Sequence, residues 1–366
     1  MNEAIKRPKR KNPILRTRAP TLPPERRSRV ALGLVRAAAE GNLELQRCAA
    51  CGAVQYPPRE ACVRCLSTEL EWTAVSGQGE LVSETTLRHS QELFFRERAP
   101  WRLGLVRLAE GVTVVAHLDS RCGEAPCGVT VGTALDRAGQ AVLVATPAGG
   151  KTALADEPKL RDMTADPRFR KVLVTDAKSP VGQAVVRAAI DAGADRIWAG
   201  HCEPWKSPPG WPEIAGLPNT TLVPLDVTDT KSVNELAAEL GFKVDIVINT
   251  SEHHRTYGLF GRAGVETARA EMETNCFGLM RLAQAFGPVM QSRGAGIRVI
   301  NIFPGPIDDE WNQLLLPPKL APAAVARAII EALKGSVEDV YPGDIAQDWL
   351  ARLRDNPKAL EREIGR

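Results

Sequence analysis

The stretch RCAACGAVQYPPREACVRC, from Arg47 to Cys65, holds two Cys-x-x-Cys pairs separated by ten residues. Thiolates at this spacing are metal ligands. Two such turns brought together by a hairpin place four sulfurs in a tetrahedron, the geometry Zn²⁺ takes in closed sites. Cys48, Cys51, Cys62 and Cys65 are the predicted ligands. The competing readings are four unrelated thiols or a redox pair. With every position filled by protein, no place remains for water or substrate. The metal would then be structural, stapling a segment too small to bury a core of its own. The intervening GAVQYPPREA is long enough for a β-hairpin, and Gly52 supplies the tight turn after Cys51. Cys122, Cys127, Cys202 and Cys276 have no matching partners and read as ordinary thiols.

The elements that must position these thiols belong to a chain of 366 residues, long for one domain and comfortable for two or more. An apolar share of 44% and a charged share of 25% are those of a globular protein. The formal charge of +3 is uneven, because ten lysines and arginines crowd the stretch from Lys6 to Arg29. Residues 1–29 thus read as a basic, flexible arm, either a solvated extension or a contact for an acidic surface. No apolar run approaches the ~20 residues that span a bilayer. The N-terminus has no apolar secretory segment, and the arm no amphipathic pattern. A cytoplasmic location without a membrane partner is expected, and a reducing compartment favours metal over disulfides at the cysteine pairs.

After the arm, SRVALGLVRAAAEG predicts a short helix from about Ser28 to Glu40, closed by Gly41, and residues 30–72 form a helix-and-ribbon unit. Over 73–148 the texture turns to short β-rich runs: GELVSETTLR, WRLGLVRLA, VTVVAHL, GTALDRA and AVLVAT. Five short strands punctuated by turns suit an OB-fold barrel. Residues 149–169 read as a linker. From 170 to 350, strands such as KVLVTD, RIWAG, TTLVP, VDIVINT and IRVINIF alternate with helices. That alternation predicts an α/β Rossmann-like, doubly wound parallel sheet. Residues 351–366 read as a C-terminal helix or tail.

The phrase QRCAACGAVQYPPREACVRC running into LEWTAVSGQGEL, from about Val30 to Ala148, resembles the rubredoxin-like zinc-ribbon plus OB-fold proteins that partner thiolases and thiolase-like aldolases. That resemblance implies a non-catalytic subunit that docks on a thiolase-superfamily enzyme. It would help seat the CoA moiety of an acyl-CoA, while the partner makes or breaks the bond. The family also implies that the helix before the ribbon and the barrel loops face the enzyme. In HSQELFFRERAPW, exposed Phe94, Phe95 and Trp101 beside Arg96 and Arg98 are expected either at such an interface or as the plug and rim of the barrel.

From Arg170 to about Ala346 the chain resembles the short-chain dehydrogenase/reductase family, in degenerate form. VLVTDAKSPVGQAVVRA lies where that family has a strand, a Gly-rich turn and a helix. The resemblance makes Thr175, Gly182, Asp226 and Asn275 vestigial cofactor positions. The departures are pointed. Asp176 and Pro180 replace the first two glycines of the turn, and Glu252 stands where the family has glycine. A carboxylate about 5 Å from a phosphate charge costs roughly 3 kcal/mol at an effective dielectric near 20, about a hundredfold in affinity. The family's Ser, Tyr and Tyr-x-x-x-Lys have no counterpart: VINI runs straight into FPGPID, and neither Tyr56, Tyr257 nor Tyr341 precedes a lysine by four. His253 and His254 read as solvated loop residues. No catalytic residue is assigned, and NAD(P) is not expected.

The resulting expectation is an accessory subunit of a thiolase or retro-aldolase complex degrading lipid or aromatic acyl-CoA esters. Its cofactor is structural zinc, CoA ester is a ligand shared with the partner, and the reductase-like half is a scaffold. That half would self-dimerise or pair with an intact dehydrogenase. Two alternatives compete: an active NAD(P)-dependent 3-hydroxyacyl-CoA dehydrogenase, and a single-stranded nucleic-acid-binding module. The aliphatic strands LGLVRLA and VTVVAHL lack the stacking platforms the second would need.

Overall fold

The computed structural model describes residues 23–24, 28–151, 154–254, 261–292, 299–310, 312–335 and 337–364. Nearly all of the basic arm lies outside them. Helix α1 (Leu32–Ala39) follows a 3₁₀ turn and stops at Gly41, whose φ of +77° is the left-handed C-terminal cap glycine tolerates. Its Leu34 and Ala38 pack on Leu135 and Ala141 of the barrel, with Trp72 alongside. A Cβ on Gly33 would lie 2.1 Å from the Trp72 ring, so only glycine admits the indole there.

The ribbon is an antiparallel sheet of β1 (Glu44–Cys48), β2 (Val54–Gln55) and β3 (Leu70–Ala74), in the order β2-β1-β3. Strand β1 alternates, so Leu45 points into the barrel core while Gln46 faces the ribbon interior. The barrel closes in the order β4-β5-β6-β8-β7 from β4 (Gln78–Leu87), β5 (Trp101–Leu108), β6 (Thr113–Leu118), β7 (Cys127–Leu135) and β8 (Ala141–Pro147). Pairing is antiparallel except between β6 and β8. Leu81, Val106, Val114, Val131 and Ala145 fill the interior.

The aromatic loop differs from the exposed interface considered above. Phe94, on α2 (Leu93–Glu97), is 1% exposed and Trp101 2% exposed. They close one end of the barrel against Val142, Val144, Leu160 and Met163, and Arg98 lies over the Phe94 ring at 4.1 Å while pairing with Asp162. An aromatic ring buries 150–250 Å², and that gain over a barrel mouth outweighs exposure. Nor is the segment at 149–169 a loose tether. It forms 3₁₀ turns at Leu154–Asp156 and Leu160–Met163, whose Leu154, Leu160 and Met163 are buried on the barrel.

The α/β half contains β9 (Lys171–Val174), α3 (Pro180–Asp191), β10 (Arg196–His201), α4 (Trp211–Ala215), β11 (Thr220–Pro224), α5 (Thr230–Leu240) and β12 (Ile246–Ile248). The strands pair in parallel in the order β11-β10-β9-β12. The chain winds one way from β9 to β11 and returns to β12, so the switch point lies at the C-terminal ends of β9 and β12. Val172 and Val174 face one hydrophobic layer, with Val185, Ala189 and Ile330. Leu173 faces the other, with Leu236, Leu282 and Phe286.

The helical stretch after β12 is interrupted. It runs as α6 (Gly264–Glu271), a π-helical segment (Met272–Gly278) and α7 (Leu279–Ser292). Of IRVINIF, only β13 (Asn301–Ile302) is a strand among the described residues. It pairs not with the main sheet but with β14 (Asp339–Val340), beyond α8 (Pro322–Gly335). Helices α9 (Asp344–Asp355) and α10 (Pro357–Ile364) follow. Among the described residues, no helix is long and apolar enough to cross a membrane.

Candidate metal centre and nucleotide cleft

The four thiols converge. All four sulfurs lie within 4.8 Å of one another, with Cys48 Sγ 3.5 Å from Cys65 Sγ and Cys51 Sγ 3.6 Å from Cys62 Sγ. Zinc–sulfur bonds of about 2.3 Å in a tetrahedron need edges of about 3.8 Å, so the donor set fits Zn²⁺ with little movement. The two knuckles repeat one pattern. Cys48 N donates to Ala53 O and Gly52 N to Cys48 O; Cys62 N donates to Ser67 O and Leu66 N to Cys62 O. Gly52 (φ +71°) and Leu66 (φ +61°) are both left-handed, so leucine occupies a conformation that costs an L-residue about 1 kcal/mol or more.

Four crowded thiols cannot all ionise without a cation. The Arg64 N–H on its sulfur, at 3.3 Å, and then the Cys65 amide hold the Cys62 thiol down to about 6. Cys65 takes an amide bond from Ser67 that lowers it, yet the Cys51 and Cys48 thiols push it up to about 12. A divalent cation relieves that conflict by taking all four as thiolates.

Two residues that sequence reasoning missed hold the second knuckle in place. Gln55 Nε2 donates to Gln46 Oε1 (2.9 Å), which also accepts Arg59 N–H (2.8 Å). Gln55 Oε1 accepts Val63 N–H (3.0 Å). Both glutamines are buried, and their amides link the sheet to the loop between the knuckles. The only signal in the sequence was their place on paired strands, and the register that faces them is tertiary.

On the barrel, a groove of about 480 Å³ runs between β4, β5 and β7 past Glu80, Arg107 and Thr130. Gly128 and Gly149 leave it open, since an added Cβ would meet at most Ala148 at 3.8 Å.

At the switch point of the α/β sheet, the loop from Thr175 to Gly182 is bonded to itself and to the neighbouring strand ends. Asp176 N donates to Thr250 Oγ1, Ala177 N to Gly200 O, Lys178 N to Asp176 Oδ1 and Gly182 N to Ser179 Oγ. Pro180, at the first position of α3, brings no N–H. At the helix N-terminus, where a phosphate would be cradled, Gly182 N is thus taken by Ser179 Oγ and Pro180 offers no amide. Burial pushes the Asp176 and Glu252 carboxyls above the ordinary range.

The four positions that the reductase resemblance singles out make internal contacts. Thr175 Oγ1 donates to Asn249 Oδ1 (2.8 Å) and accepts Thr250 N–H (3.0 Å), tying β9 to β12. A Cβ on Gly182 would lie 1.8 Å from Asp176 O, so glycine is needed there for loop–helix packing. Asp226 Oδ1 accepts Thr228 N–H and Oγ1–H. Asn275 exchanges two bonds, each of 2.9 Å, with the His253 backbone. His254 lies 3.3 Å from Glu252. Tyr341 stacks on Phe303 beside the β13–β14 pair, Tyr56 packs beside the barrel core, and Tyr257 lies outside the described residues.

This architecture is a cysteine ribbon on an OB-fold barrel, joined to a Rossmann-like α/β unit. Residues 36–71 match the rubredoxin-like zinc ribbon domain of ChsH2, and residues 72–140 its C-terminal OB-fold domain. A probable enoyl-CoA hydratase alpha subunit of Thermomonospora curvata is 32% identical over 96 residues, 26% of this chain and 28% of that protein. A DUF35 domain-containing scaffold protein of Methanocaldococcus jannaschii is 32% identical over 73 residues, 20% of this chain and 51% of that one. The chain therefore spans about a quarter and a half of these two relatives. Mouse L-fucose dehydrogenase is 26% identical over 197 residues, 51% of this chain and 71% of that protein. Among solved structures, a short-chain dehydrogenase from Burkholderia cenocepacia in complex with NADP matches 54% of this chain and 98% of its own, at 25% identity and a TM-score of 0.48. An Ltp2-ChsH2(DUF35) aldolase matches 33% and 97%, at 26% identity and a TM-score of 0.30.

Proposed function

We propose that this chain is an accessory subunit of a thiolase-type or retro-aldolase complex that degrades acyl-CoA esters. The ribbon and barrel, residues 30–72 and 73–148, dock on the thiolase-superfamily enzyme. Zinc held by Cys48, Cys51, Cys62 and Cys65 keeps that docking unit folded. The barrel groove past Arg107 is the seat offered to the CoA arm. The α/β domain, residues 170–350, is a non-catalytic scaffold in the cytoplasm. One observation carries this reading. A complete four-thiol ribbon, matched to ChsH2 from residue 36 through the barrel to 140, shares the chain with a nucleotide loop in which Lys178 N and Gly182 N are bonded within the loop.

The test is co-expression with the nearest-encoded thiolase-superfamily protein of the same genome, followed by native mass spectrometry and an acyl-CoA turnover assay. A stoichiometric complex active only with both chains present is expected. A chain that stays alone, with the enzyme fully active without it, refutes the reading. A second reading, an NAD(P)-dependent 3-hydroxyacyl-CoA dehydrogenase, is favoured by the 197-residue match to L-fucose dehydrogenase. Micromolar NADH or NADPH binding by the isolated chain would select it.

A further inference from the structure

Lys178 is the least expected residue in the α/β cleft. It is 8% exposed, although it sits in a loop at the open end of the sheet. Its Nζ donates to Cys202 O (3.1 Å) and Glu203 O (2.6 Å), the two carbonyls just past the end of β10. Its ammonium lies 5.4 Å from the centre of the Trp211 ring, on α4. Trp211 in turn meets His201 edge-on, at 5.5 Å. The side chain of Lys178 therefore crosses from the α3 turn to the end of β10 and covers the notch between them.

That notch has a defined use in doubly wound sheets. The phosphates lie at the first βα turn, and the ribose of the adenosine lies at the end of the second strand, read by an acid about twenty residues on. Glu203 follows Gly182 by 21 residues and sits at that edge. Its backbone is left-handed (φ +50°), and its carbonyl takes both Lys178 Nζ and Lys206 N–H. The turn that would greet a ribose is thus held by a lysine from the turn that would greet a phosphate.

We infer that Lys178 is a built-in occupant of the adenosine notch, excluding adenine nucleotides by filling the space between the α3 turn and the end of β10. The inference rests on the proposal that the α/β half binds no dinucleotide, and it names the residue that keeps the notch closed. Asp176 excludes by charge and Lys178 by occupancy, so the two act separately.

The experiment uses the full zinc-loaded chain and ADP as probe, followed by calorimetry. The variants are Asp176→Gly, Lys178→Ser, the double variant, and Lys178→Met, which keeps the hydrocarbon over Trp211. For the wild type a Kd above about 1 mM is expected. The double variant should bind at least about tenfold tighter than Asp176→Gly alone. Lys178→Met should bring no gain. A double variant no tighter than Asp176→Gly overturns the inference while leaving the non-binding scaffold intact. Wild-type binding at micromolar ADP or NADH overturns both. A measurement on the unaltered protein guards against variants that fail to fold. In acetylation footprinting, Lys178 should react at least about tenfold more slowly than exposed Lys231, and equal rates would refute the plug.

Discussion

Stripping the metal should melt the ribbon and spare the barrel. Between Cys48 and Glu69 the buried side chains are Cys48, Gln55 and Cys62. The apolar contacts of this stretch reduce to Val54 and Tyr56, half-buried against the barrel core. Each is worth at most about 1–2 kcal/mol, whereas a structural zinc in a small finger supplies an apparent ~10–16 kcal/mol at neutral pH. The loops between β1 and β3 therefore depend on the ion. The strands themselves stay anchored, because Leu45 is 1% exposed inside the barrel. Hydrogen exchange reads this directly. In the zinc form the Cys48, Gly52, Cys62 and Leu66 amides, all bonded across the knuckles, should be protected. After chelation they should exchange at least ~10³-fold faster, as the absence of more than ~4 kcal/mol of local stability requires. Trypsin should then cut at exposed Arg59 and Arg64. The Leu108 and Val131 amides of the barrel should not change. Affinity for zinc should fall as pH drops, because every thiol must ionise and Cys65 starts near 12. Unchanged protection after complete metal removal would refute the argument.

Three further outcomes follow from the same contacts. Gln55→Leu removes the acceptor of Val63 N–H and the donor to Gln46, and should lower zinc affinity about 10–100-fold, measured by chelator competition. Phe94→Ala empties the barrel end and should destabilise the barrel by about 3–5 kcal/mol in a denaturant titration, where a surface interface residue would cost almost nothing. Asp176→Asn keeps the acceptor for Lys178 N–H and removes a buried charge. Because the folded-state pKa of Asp176 is raised, its ionisation destabilises the fold as pH climbs past the unfolded value. The asparagine variant should therefore melt higher than wild type at pH 8, and the gap should close as pH falls. A constant gap would place its origin elsewhere.

What was legible in the sequence is what local spacing governs. Two Cys-x-x-Cys turns ten residues apart form their knuckles from their own backbone, so the thiols meet as spaced. Each of the five β-rich runs lies on a barrel strand, because alternation such as that of Val114 and Ala116 is written in period two. Phe94 was ambiguous because ELFFRERAPW has polar neighbours on both sides, and only the barrel mouth decides where its ring goes. Leu154 stands apart in one short turn and Leu160 and Met163 share another, too short for a helical pattern to show, so a packed segment read as a linker. IRVINIF has a strand's apolar density, yet among the described residues strand β13 is Asn301–Ile302, and its partner, β14, arrives from beyond α8. Lys178 left no trace: a lysine in a turn is ordinarily solvated, and its burial comes from Trp211 and from carbonyls over twenty residues away.

The segment between the halves ties the ribbon and barrel to the α/β domain. Arg137, at the β7–β8 turn of the barrel, donates its backbone N–H to Met163 O, while Arg170, just before β9, donates from its side chain to Thr164 O. Arg98, from α2, pairs with Asp162 between them. Burial, with Arg170 and Arg98 nearby, pushes Arg137 down to about 10, and burial likewise lowers Arg170. Cations are put in so dry a seam only where fixed partners hold them, and losing one partner strands a charge at a cost of several kcal/mol. Met163 closes the barrel end, and two residues on, Ala165 packs on the α/β core. A hinge at this point would have to expose both contacts and break the Arg98–Asp162 pair and the Arg170–Thr164 bond together. On the proposed reading, a partner seated on the ribbon would therefore hold the α/β domain in place as well, the mechanical requirement for a scaffold.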